Sequence, residues 1–207
     1  MPEGPNELEI RSLQPSERAE GISVLARGMR DNPLHVAAFG DDADERCAAL
    51  TRQFSALFAV NTAQEPICAV RNGVIVGMTG VAPPGHCQPT LGERLRLVPR
   101  ILPLGPSKLK KVGAWLTEWS KRDPGQPHFH LGPLGVDAPF QRQGIGSRIM
   151  QYHCAKLDAE GALGYLETDK PGNVSFYRRH SYEVVGEAEV IGVPNWFMER
   201  RPGGGSG

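Results

Sequence analysis

Leu134-Gly-Val-Asp-Ala-Pro-Phe-Gln-Arg-Gln-Gly-Ile-Gly-Ser147 is the stretch on which the fold turns. A strand ends, a loop with two glycines follows, and an amphipathic helix begins. Unpaired backbone N–H groups at such a junction converge beside the positive end of the helix dipole, which makes an anion site. Gly144 and Gly146 let a phosphate approach the main chain closely. Two phosphate-binding patterns are excluded. A dinucleotide fingerprint needs a third glycine where Ile149 stands, and a P-loop needs Gly-Lys-Ser/Thr after its glycines.

Working outward, residues 128–136 read as the strand that enters this loop, and 144–160 as the helix that leaves it. Ile145, Ile149, Met150, Cys154 and Leu157 share one side of that helix, and Gly161 stops it. A strand is predicted at 163–168, a short helix at 173–180, and strands at 182–190 and 195–199. Upstream, 8–13 reads as a first strand. Ile22, Leu25, Ala26 and Met29 then mark a helix that Asn32-Pro33 ends. Cys47, Leu50, Phe54, Leu57 and Phe58 mark a second helix, with Cys47 on its core stripe. Asn72-Gly73 between two apolar runs, 67–70 and 74–81, signals a hairpin.

Residues 83–126 differ in character. Leu91, Leu95, Val98 and Leu102, then Leu109, Val112, Leu116 and Trp119, recur at spacings of three and four, which predicts two inserted helices. Arg94, Arg96, Arg100, Lys108, Lys110 and Lys111 read as their solvated face. The order of elements gives an α+β fold: a central mixed, mostly antiparallel sheet with one strand–helix–strand crossover. One domain over 1–202 is expected, followed by a flexible Gly/Ser tail at 203–207.

Composition narrows the function. The 23 Lys plus Arg balance 23 Asp plus Glu, so no basic excess marks a nucleic-acid or membrane-surface protein. A globular chain is indicated by 40 % hydrophobic and 22 % charged residues. The start of the sequence does not resemble an export signal, and no apolar run spans a bilayer. The four cysteines form no CxxC pair, so a reduced, cytoplasmic protein is expected without structural zinc or disulfides. His128 and His130 have metal-compatible spacing but no third ligand near them in sequence, and they read as packing or acceptor contacts. Cys87, after His86, matches no catalytic dyad.

Gln141-x-x-Gly144-x-Gly146 after a strand ending Gly-Val-Asp resembles the acetyl-CoA signature of the GNAT acetyltransferases. Leu166-Glu-Thr-Asp-Lys-Pro-Gly-Asn-Val-Ser-Phe-Tyr-Arg-Arg-His-Ser-Tyr182 resembles their following strand and helix. The wording His-Leu-Gly-Pro-Leu-Gly-Val and Asn-Val-Ser-Phe-Tyr is most similar to the puromycin N-acetyltransferase branch. The resemblance covers about residues 128–186.

It implies a three-layer α/β/α fold whose two parallel strands splay apart, and acetyl-CoA as cosubstrate without a metal. Pantetheine would follow Leu134, Gly135 and Val136, and pyrophosphate would rest on Arg142, Gln143, Gly144, Ile145, Gly146 and Ser147, with the motif residue Gln141 also counted as cofactor-binding. Tyr177 falls where the family's general acid sits, and Glu167 where a carboxylate draws the amine proton, through water. The usual CoA-contacting asparagine is replaced by Lys170. Asn173, four before Tyr177 as in the puromycin-type branch, is the remaining candidate for CoA contact or for a helix cap.

The acceptor side is expected from the loop 31–39, with Asp31, His35 and Phe39 as lining residues, and from the insertion. These features imply transfer to a primary amine of a small molecule by direct attack in a ternary complex, by a monomer or homodimer. A protein α-amine or lysine acceptor, and a non-catalytic acyl-CoA sensor, are the alternatives. Neither nucleic acid nor membrane is an expected partner.

Overall fold

The computed structural model describes residues 8–203, so the first seven residues and the tail beyond Gly203 lie outside the described residues. Seven strands form one sheet in the order β1-β2-β3-β4-β5-β7-β6. The strands are β1 (Leu8–Ser12), β2 (Ile67–Arg71), β3 (Val74–Ala82), β4 (His128–Val136), β5 (Leu163–Thr168), β6 (Glu183–Val190) and β7 (Val193–Arg200). All neighbours are antiparallel except β4 and β5. That parallel pair is joined by the helical crossover that parallel strands require.

Among the described residues, seven α-helices accompany the sheet: α1 (Arg18–Met29), α2 (Pro33–Phe39), α3 (Ala43–Val60), α4 (Leu91–Ile101), α5 (Pro106–Ser120), α6 (Ile145–Glu160) and α7 (Pro171–Arg178). None is long and apolar enough to cross a membrane. The strand period of two sorts the core onto two faces. Cys68, Val70 and Met78 join the α1–α3 side, whereas Ile67, Ala69 and Val76 join Ile145, Ile149 and Leu157 of α6. Central strands buried on both faces therefore read as unbroken apolar runs rather than alternating ones. The layers are α/β/α, as the resemblance implied.

Local signals fix the ends. Asn72 and Gly73 both take positive φ, 52° and 76°, as the two-residue hairpin turn between β2 and β3 requires. Asp42 caps α3, its carboxylate accepting from the N–H groups of Asp44 and Glu45. Thr90 and Glu93 form a reciprocal capping box on α4. Gly28 sets how closely α1 lies on the sheet: a Cβ there would stand 2.5 Å from the Val136 carbonyl oxygen.

Two expectations are corrected. The segment 31–39 is not a loop, because Asn32-Pro33 ends α1 and also starts α2, with Pro33 at the first helical position. In the insertion, α5 buries Val112 and Trp115, but Leu91, Leu95, Val98 and Leu102 of and after α4 stay exposed. Periodicity identified the helix without saying which face would be covered. Of the expected tail, Gly203 is described and is held by its N–H to Asp158, 3.0 Å away.

Behind the sheet, His153 of α6 is fully buried, with Nε2 3.2 Å from the Tyr182 hydroxyl. Burial, with Arg200 and Lys156 adding repulsion, lowers its pKa to about 4. The unfolded chain therefore binds this proton more readily than the folded one. Stability should be full above about pH 6.5 and fall toward pH 4, by about 3 kcal/mol from this group. Denaturant midpoints from pH 7 to pH 4 should show the fall in the parent and a smaller one in His153→Gln.

Candidate active site

The site begins with a defect in the sheet. β4 pairs with β5 only through His128↔Leu163, Phe129↔Gly164 and His130↔Tyr165. Beyond that point β5 continues against β7, and β4 against β3 alone, with Leu134↔Thr79, Gly135↔Met78 and Val136↔Gly77. One edge of β4 from Leu131 onward thus carries backbone groups without a strand partner. Pro133 has no N–H to give, and the β3–β4 register itself shifts between Thr79 and Val81. The splay expected from the resemblance is present.

The loop after β4 is held by its own side chains. Asp137 pairs with Arg27 at 2.7 Å, and Gln141 donates to the Val136 carbonyl at 2.9 Å. Gln143 donates to the Pro139 carbonyl and accepts from Arg71. Both glutamine side chains are therefore committed within the turn. Arg142 and Gly144 take positive φ, 61° and 79°. Among the described residues, the N–H groups of Arg142, Gln143, Gly144, Ile145, Gly146 and Ser147 donate to no protein acceptor. Six neighbouring donors at the start of the 16-residue α6 suit an anion such as pyrophosphate. The residues present fit the phosphate end of acetyl-CoA.

The gap opens into a cleft of about 200 Å³ between the sheet and α5. Leu134, Glu167, Asn173, Tyr177 and His35 all line it. Tyr177 is buried, and burial pushes its phenol above the ordinary range, with the Asp169 and Glu167 carboxylates adding to the shift. Asn173 lies within α7 and donates to the Thr168 hydroxyl at 3.1 Å, while Lys170 holds the cap position. His35 is buried under Trp115, its Nδ1 donating to the Met29 carbonyl at 2.8 Å.

Two expected lining residues are elsewhere. Asp31 is on the surface, 59 % exposed, where Arg30 and Arg46 pair with it. Phe39 is buried in the core beside His35 and does not reach the cleft. Once 31–39 is helical, its residues are dealt to different sides.

Glu167 is 3 % exposed, and its Oε2 accepts from His130 Nε2 at 2.7 Å. Burial works against a charged His130, yet Glu167 and the Cys87 sulfur outweigh it and lift its pKa to about 10. Sequence reasoning missed this pairing, because β4 and β5 meet only in the fold. It missed a second meeting too. Cys87 supplies the third member that His128 and His130 lacked, and one donor atom from each lies within 4.8 Å of the others. Trp115, Leu116 and Trp119 of α5 form the apolar wall, whereas α4 does not line the cleft.

A family model for acetyltransferases of the GNAT type matches residues 33–182. The chain belongs to the GNAT acetyltransferase family. It is therefore an acyltransferase of a family that uses acetyl-CoA. Solved structures agree on the fold. A Corynebacterium glutamicum protein named histone acetyltransferase HPA2 and related acetyltransferase superposes with a TM-score of 0.71 at 18 % identity, over 94 % of this chain and 96 % of that one. An agmatine N-acetyltransferase gives 0.63 at 15 %, over 94 % and 99 %. A GNAT acetyltransferase from Brucella melitensis, solved with acetyl-CoA, gives 0.54 at 15 %, over 94 % and 88 %.

Asp169, which also lines the cleft, was not singled out by the sequence. It is buried, and its Oδ2 accepts from the Leu34 N–H of α2 at 2.7 Å. This bond ties α2 to the end of β5. Asp169→Ala leaves that donor unsatisfied and should cost about 1–3 kcal/mol in denaturant unfolding. Asp169→Asn keeps an acceptor and should recover most of the loss.

Proposed function

We propose that the chain transfers the acetyl group of acetyl-CoA to the primary amine of a small molecule, by direct attack in a ternary complex. The observation that carries this reading is the convergence of Glu167, Tyr177 and the unpaired edge of β4 in one cleft walled by α5. Acetyl-CoA supplies the activated thioester. In this reading the open edge at Leu134, Gly135 and Val136 binds the pantetheine arm, and the segment from Arg142 to Ser147 receives the pyrophosphate, with Gln141 bracing the turn behind it. Asn173, which lines the cleft, contacts CoA in this reading.

Glu167, through the carboxylate oxygen that His130 leaves, draws the amine proton by way of water. The raised pKa of Tyr177 keeps its phenol protonated at neutral pH, ready to donate as negative charge develops on the departing sulfur. His35 and the aromatic wall of α5 face the amine's carbon skeleton. A cleft of about 200 Å³ suits a small amine better than a folded protein's lysine, which needs an open groove. The wording shared with the puromycin N-acetyltransferase branch supports the same class. A single domain of 1–202, acting as monomer or homodimer, is part of this proposal.

Thiol release measured against a panel of small amines and lysine-containing peptides tests the reading. Turnover confined to small amines is expected. Turnover only on peptides, or acetyl-CoA binding without turnover on any amine, would overturn it. Tyr177→Phe keeps the ring but not the proton, and should lower kcat about 10²–10⁴-fold with little change in acetyl-CoA affinity. Gly144→Glu forces a side chain into positive φ and puts a negative charge in the anion cradle. It should weaken CoA binding at least tenfold, read by calorimetry, and an unaltered affinity would remove the cradle from the proposal.

A further inference from the structure

Cys87 stands on the loop between β3 and α4, half-buried, where the cleft meets a shallow surface depression. His128 and His130 face it from β4. Each histidine already donates one ring N–H to an outer oxygen. His128 Nδ1 gives its hydrogen to the Gln126 carbonyl at 2.9 Å, and His130 Nε2 gives its own to Glu167 at 2.7 Å. A carbonyl and a carboxylate can only accept, so His128 Nε2 and His130 Nδ1 are the ring nitrogens left to bind an ion once any proton on them is displaced. This is the outer arrangement that orients histidines toward a metal ion.

A second observation points the same way. His128 is 5 % exposed, and its Nε2 makes no hydrogen bond. It nevertheless lies 2.9 Å from Asp123 Oδ1, another buried atom without a hydrogen bond. Two acceptor atoms repel at that distance, so the contact is held either by a proton on Nε2 or by a cation beside both atoms.

We propose that Cys87, His128 and His130 form a binding site for a zinc-class divalent ion in the wall of the cleft, with Asp123 at hand as a fourth donor. One sulfur and two imidazole nitrogens are the donor set such an ion prefers, rather than calcium or magnesium. Tetrahedral zinc needs donor atoms roughly 3.3–3.6 Å apart, from bond lengths of about 2.0–2.3 Å. Donors now within 4.8 Å reach that by side-chain rotation of about an ångström. On binding, the ion displaces the thiol proton and any proton on the ring nitrogens it takes, and these are released to solvent. The site joins the loop entering the insertion, the loop leaving it and β4, so an ion there fixes the insertion to the sheet beside Glu167.

Cobalt(II) titration of the metal-stripped full-length chain tests the site, with no acetyl-CoA or amine present. A thiolate-to-cobalt charge-transfer band saturating at one equivalent is expected, and zinc should abolish it. Cys87→Ser and His128→Gln should lose the band, and Cys47→Ala should keep it. Zinc at micromolar concentration should raise the Tm of the parent and leave that of Cys87→Ser unchanged, which separates loss of the site from loss of the fold. No band in the parent, or one that persists in Cys87→Ser, would overturn the proposal. Either outcome is independent of the acetyl-transfer assay.

Discussion

The parting of β4 from β5 after His130 is the constraint on which the rest of the molecule depends. A paired parallel sheet would satisfy the backbone groups of residues 131–136 internally and leave no room between the strands. Here β5 turns its later residues to β7, and β4 keeps only β3. The unpaired backbone needs partners. An extended ligand with amide groups can supply them. The same divergence leaves space into which α5 lowers its tryptophans and Tyr177 of α7 projects.

Around this gap the polar groups are few and mostly engaged. Asp169 anchors α2, Asp137 anchors α1, and Gln141 and Gln143 brace the turn before α6. Among the described residues, the consecutive N–H groups from Arg142 to Ser147 are left without protein acceptors at the start of α6. Glu167 is different in kind. Its buried carboxylate is balanced by His130, because a lone charge at that depth would be costly. Through His130, Glu167 is also next to Cys87, which lines the same cleft, and to His128.

Much of this was legible in the sequence, for local reasons. Asn72-Gly73 specified the hairpin, Gly161 the end of α6, and the bounds of β4 and β5 were read as they stand. The turn before α6 and Tyr177 were picked out by a motif whose spacing is itself local. What stayed hidden depends on meetings between distant segments. Cys87 lies 41 residues before His128, and nothing in either neighbourhood announces the other. The Glu167–His130 pair and the Asp169–Leu34 bond are of the same kind. Asn32-Pro33 was misread for a different reason, since one dipeptide both stops a helix and starts the next. Helical spacing likewise revealed α4 without saying that Leu91, Leu95, Val98 and Leu102 would face solvent.

Amide hydrogen exchange with and without CoA examines the central claim, that the gap beside β4 is the cosubstrate slot. New protection should appear in two separate segments, residues 134–136 on the open edge and 142–147 at the start of α6, with little change in β6. Saturating CoA that leaves both segments exchanging at their free rates, while protecting amides elsewhere, would contradict it.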